Sequence, residues 1–81
     1  THVDTSTAVV APLKELAAVL RRGNPDIIIA VDAVASLGGE PIRMTEWDLD
    51  YVMAGSQKGL AVPAGLCLSV VRPRALKAAL E

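Results

Sequence analysis

Residues 27–31 read Ile-Ile-Ile-Ala-Val and stop at Asp32. A continuous run this short and this rich in β-branched residues does not suit a helix, where such side chains lose rotamer freedom. It also lacks the in-out alternation of a strand with one wet face. The pattern is that of a parallel strand buried on both sides, and a chain built around one must be layered, with helices covering a sheet.

The rest of the chain supplies the layers. "APLKELAAVLRR" predicts a helix from about Val10 to Arg22, with Leu13, Leu16, Ala17 and Leu20 on one face and Pro12 in the first turn. Gly23 is expected to cap it and Pro25 to prevent its continuation. "SLGGEP" reads as a loop, and "TEWDLD" as a brief helical turn with Thr45 as N-cap and Asp48 as capping-box partner. Tyr51–Ala54 is a second buried strand and "LCLSVV" from Leu66 a third, followed by a helix in "RPRALKAALE" with Pro73 near its first position. The order is helix, strand, short helix, strand, strand, helix: an α/β fold with a largely parallel sheet. The short link between Lys58 and Leu66 holds no crossover helix, so the third strand should run antiparallel to the second.

At 81 residues the chain is one small unit at most, yet 52% of it is hydrophobic. A small isolated domain needs polar residues for its surface, so this composition suits a segment from the centre of a larger protein. The net charge of −1 gives no basis for nucleic-acid binding. Lys14, Arg21, Arg22, Arg72, Arg74 and Lys77 read as solvated helix faces, and Trp47 as a packing residue. The single cysteine, Cys67, reads as a small buried hydrophobe. No apolar stretch reaches membrane-spanning length, no signal peptide is visible and no metal site is expected; a cytoplasmic location is the expectation.

Ligands of open α/β sheets bind beyond the carboxyl ends of the strands. Asp32 follows the first strand and Lys58 comes just after the second, so parallel pairing sets both on one rim. A lysine and a carboxylate there suit pyridoxal phosphate, whose aldehyde takes an amine and whose pyridine nitrogen is kept protonated by an acid. An apolar rim would lower the proton affinity of the lysine, which must be neutral to attack the aldehyde. Spacing alone leaves other readings open. Buried strands ending in Asp occur in ATPases and in receiver domains, although no glycine-rich phosphate loop ending in Lys-Ser or Lys-Thr is present. Asp32 and Lys58 could also form a structural ion pair.

The segments "HVDTSTAVV" and "VDAVASLGGEPIRMTEWDLDYVMAGSQKGLAVPAGL", in this order, resemble class V aminotransferases of the alanine–glyoxylate and serine–pyruvate group. The resemblance runs from His2 to about Val71 and implies the three-layer, mostly parallel sheet of the large domain of a fold-type-I pyridoxal phosphate enzyme. It implies that Lys58 is the Schiff-base lysine and Asp32 the partner of the pyridine nitrogen. Val34 would pack on one face of the ring, Thr5 would hydrogen-bond near the ring hydroxyl, and Gln57 would contact the phosphate region. The family often has Glu where Asp4 stands and Gly where Ala8 stands; neither position carries the chemistry.

Family members are several times longer, and their site borrows residues from a second subunit. The resemblance therefore implies that residues 1–81 are a central segment of the cofactor-binding large domain of a homodimer. No upstream phosphate loop, stacking aromatic or late substrate-binding arginine is recognisable in it. The activity implied is transfer of an amino group from a small amino acid, alanine or serine, to glyoxylate or pyruvate. Aminoethylphosphonate and ureidoglycine transaminases share similar motifs. The desulfurase and lyase branch usually has His directly before the lysine, where Gln57 stands here. A non-catalytic α/β module is the remaining alternative.

Overall fold

The computed structural model describes all 81 residues, Thr1–Glu81. Its elements are α1 (Leu13–Gly23), β1 (Ala30–Asp32), β2 (Tyr51–Gly55), β3 (Cys67–Val71) and α2 (Pro73–Leu80). The sheet has the order β1-β2-β3. β1 and β2 are parallel, with Asp32 opposite Met53, and β3 returns antiparallel to β2, with Cys67 opposite Gly55. The mixed sheet and the direction of β3 are those expected from the chain. No helix is long and apolar enough to cross a membrane.

Several local expectations change. The first strand pairs over only three residues, because Ile27 and Ile28 precede the start of β2; the carbonyl of Ile29 accepts the Asp50 and Tyr51 N–H groups at the entry to the ladder. Its faces are unequal: Ile29, Val31 and Ala33 are buried, whereas Ala30 and Asp32 are exposed. One face carries a layer, made by α1 and the segment through Leu37, Ile42, Met44, Trp47 and Leu49. The other does not, so the doubly buried strand is found only half covered among these residues.

α1 starts three residues later than expected, with Pro12 at the N-cap position and no side-chain cap; Gly23 is its last residue and the Asn24 N–H bonds Leu20 O at 2.9 Å. It turns Leu13, Ala17 and Arg21 inward and leaves Leu16 and Leu20 nearly half exposed. "TEWDLD" forms a turn rather than a helix, and Asp48 sits at φ 56, outside helical space, with its carboxylate on arginines instead of on Thr45. Trp47 packs against the core, as its sequence context suggests. Cys67 is exposed, because β3 has no layer on either side.

Arg21, Arg72 and Arg74 are not solvated faces either, whereas Lys14, Arg22 and Lys77 are exposed as expected. Arg21, from α1, and Arg74, from α2, both meet Asp50, whose side chain is 0% exposed. Asp50 Oδ2 also accepts the Ile29 N–H at 2.8 Å. Arg21 Nε lies 2.8 Å from Asp48 Oδ2, and Arg72 pairs with the other Asp48 oxygen. The hydrogen bond from Arg72, helped by the charge of Arg21, holds the Asp48 carboxyl below its usual value. This cluster lies at the amino end of β2 and ties both helices to the sheet, at the edge opposite Lys58.

Candidate active site

Parallel pairing carries β1 and β2 out of the sheet at one edge. β1 ends there at Asp32, and β2 at Gly55, three residues before Lys58. The Asp32 side chain is exposed, and its Oδ1 accepts the Val34 N–H at 3.0 Å. This Asx turn links the carboxylate to the residue expected on the ring face, and Val34 itself is half-buried. Thr5 reaches the same edge through its own segment: His2 N–H bonds the Asp32 carbonyl at 2.9 Å, and Thr5 lies three residues on, exposed.

Thr5 belongs to a closed turn. Asp4 Oδ2 accepts both the Thr7 hydroxyl, at 2.7 Å, and the Thr7 N–H, at 2.9 Å. Those bonds, the hydroxyl first, hold the Asp4 carboxyl below its usual value. Ala8 closes the turn with its N–H on the Asp4 carbonyl and φ at 57°. That left-handed geometry favours glycine and gives a physical reason for the glycine common there in the family it resembles.

The Lys58 loop is built on Ser56, which is 1% exposed. Its Oγ donates to Pro63 O at 2.8 Å, while its N–H and carbonyl bond Leu66 O and the Val62 N–H, both at 3.2 Å. One serine thereby fixes both flanks of the loop. A methyl group built on Gly55 would lie 2.7 Å from Gln57 Oε1, so the Gln57 carboxamide folds back against the end of β2. Beyond Lys58, Gly59 packs backbone to backbone on the 37–39 loop. A methyl on Gly38, which has φ +93°, would meet the Gly59 carbonyl at 2.7 Å, and one on Gly59 would overlap Leu37 O.

Lys58 is exposed, so the expected apolar rim around it is not supplied by these residues. Neither Lys58 nor Asp32 takes part in an ion pair, which removes the structural-bridge reading of the two. The two surface clefts, one beside Trp47 and one beside Arg74, lie away from this edge. The structure thus brings Asp32, Val34, Thr5, Gln57 and Lys58 to one end of the sheet as exposed or half-buried groups. The supports beneath them, His2, Ser36 and Ser56, are buried. All three fall inside the segments that carry the family resemblance, and nothing in those segments marks them as supports.

Comparison with known proteins identifies the family and the fold. The family model described as aminotransferase class-V matches residues 1–81. Alanine–glyoxylate aminotransferase 1 of Saccharomyces cerevisiae is 41% identical over 81 residues, covering 100% of this chain and 21% of the relative. Serine–glyoxylate aminotransferase of Methylorubrum extorquens is 38% identical over 78 residues, 96% of this chain and 19% of the relative. The crystal structure of a subgroup IV aspartate aminotransferase from Thermus thermophilus superposes with a TM-score of 0.87 at 37% identity, over 94% of this chain and 22% of that one. The chain spans about a fifth of the length of the proteins it matches.

Proposed function

The chain belongs to the class-V aminotransferases, and from that membership we propose that the whole protein is a pyridoxal phosphate-dependent aminotransferase. It moves an amino group from a small amino acid, alanine or serine, to a 2-oxo acid such as glyoxylate or pyruvate, and works as a homodimer. The observation that carries this reading is the sharing of one sheet edge by Lys58 and Asp32, both exposed and free of ion pairs. The donor set fits the cofactor: a primary amine for its aldehyde, a carboxylate for its ring nitrogen, a threonine hydroxyl for its ring oxygen, a carboxamide toward its phosphate and a valine for one ring face. When bound, pyridoxal phosphate supplies an electron sink for the bond broken at the substrate α-carbon.

The chain's own residues do the rest. Asp32 would offer its carboxylate, oriented by the Val34 N–H, to the ring nitrogen. Lys58 would hold the cofactor's aldehyde and, as a primary amine, would supply the base that takes up and returns the substrate proton. Ser56 and the Gly38–Gly59 contact keep its loop in register with the Asp32 turn. Borohydride treatment of the full-length protein with pyridoxal phosphate should fix the cofactor permanently, with peptide mapping placing it on Lys58. Attachment at Lys14 or Lys77, or none, overturns the proposal.

A further inference from the structure

His2 and Ser36 are almost completely buried, at 3% and 1% exposure, and hydrogen-bond each other, with 2.9 Å between Nδ1 and Oγ. Two polar side chains buried together lose hydration that an apolar pair would never have had. What they gain lies in the turn after β1. His2 grips that turn twice: its backbone N–H bonds the Asp32 carbonyl at 2.9 Å, and its ring bonds Ser36 at the far end. Between those points the Ser36 and Leu37 N–H groups close onto the Ala33 carbonyl, and the Ala33 N–H bonds Met53 O at 2.8 Å. The Ser36 hydroxyl has Ala33 O as its acceptor at 3.4 Å, which leaves its oxygen to accept from the ring and calls for a proton on Nδ1.

We propose that His2 is a positioning residue that, through Ser36, clamps the turn presenting the Asp32 carboxylate and so sets its angle to the cofactor's ring nitrogen. The inference rests on the aminotransferase reading above. It adds a residue that touches neither cofactor nor substrate and acts by fixing the ends of a five-residue turn.

The test uses the full-length protein, pyridoxal phosphate titration, and the ¹⁵N resonance of cofactor labelled at its ring nitrogen. His2→Asn keeps an N–H in the place of Nδ1–H, whereas His2→Gln moves it away and Ser36→Ala removes its acceptor. His2→Gln and Ser36→Ala should each weaken cofactor binding about tenfold, the scale of one lost buried hydrogen bond. Both should also move the ring-nitrogen resonance toward that of unprotonated pyridine. His2→Asn should match the parent in both readouts, and borohydride should still place the cofactor on Lys58 in all three. The clamp is overturned if His2→Gln and Ser36→Ala leave the ring-nitrogen resonance where it is, or if His2→Asn fails as badly as His2→Gln. If the parent gives no adduct on Lys58, the aminotransferase reading falls first and takes the clamp with it.

Discussion

Asp32 is the residue whose role separates most cleanly from its fold. Its side chain is exposed and its one internal hydrogen bond comes from Val34, so Asn keeps the shape and loses the charge. Asp32→Asn should melt near the parent temperature, while the half-reaction with L-alanine or L-serine slows by orders of magnitude; a near-normal rate would remove the role assigned to it. Ala8 gives a prediction about strain. With φ at 57°, Ala8→Gly should stabilise the full-length protein by up to about 1 kcal/mol in urea unfolding, the left-handed penalty less the entropy of glycine. Asp48 gives one about pH. Its carboxyl is held down chiefly by the Arg72 hydrogen bond, so its contribution to stability is complete above the ordinary value of 3.8 and is lost as pH falls through the lower folded value. Asp48→Asn should therefore cost stability at pH 7, and the gap to the parent should close as unfolding is measured further below pH 4. Lys58 and Asp32 were legible because each is an ionisable residue at the end of an apolar run. His2 and Ser36 were not, since their pairing joins positions 34 residues apart and neither position looks unusual in its own neighbourhood.

The elements are held together by fewer groups than their number suggests. Asp50 alone meets α1 through Arg21, α2 through Arg74, and the entry to β1 through the Ile29 N–H. Asp50→Ala removes a fully buried carboxylate from Arg21, Arg74 and the Ile29 N–H at once and leaves Arg21 only its Asp48 and backbone partners, a loss expected to cost about 3 kcal/mol in denaturant unfolding. At the other edge, Gly38→Ala adds a methyl 2.7 Å from the Gly59 carbonyl at a positive φ. It should push the Lys58 loop off the 37–39 loop and abolish cofactor attachment in the titration, with a smaller loss of stability than Asp50→Ala. Helix periodicity identified α1 and α2 but assigned Arg21, Arg72 and Arg74 to water. A periodic pattern reports which side of a helix is apolar and carries nothing about the charge that a distant turn brings against it.

As a whole, these residues form an α/β layer with one face dressed. Every residue of β3 is exposed, as are Leu16, Val19 and Leu20 of α1, and only 12 of 81 residues are buried. Expressed alone, residues 1–81 should associate or bind a hydrophobic dye and show no cooperative thermal transition; a soluble monomer melting sharply would contradict this. The excess of apolar residues announced that surface, while the strand run alone could not tell which face would lack a cover. The antiparallel return of β3 has a kinetic consequence. Its closing pair, Gly55 and Cys67, lies 12 residues apart along the chain, whereas every β1–β2 pair lies 21 apart. Shorter loops close sooner, so the hairpin that displays Lys58 should be assembled before Asp32 is brought alongside. During refolding of the complete chain, the amine would be set in place before the acid that completes its site.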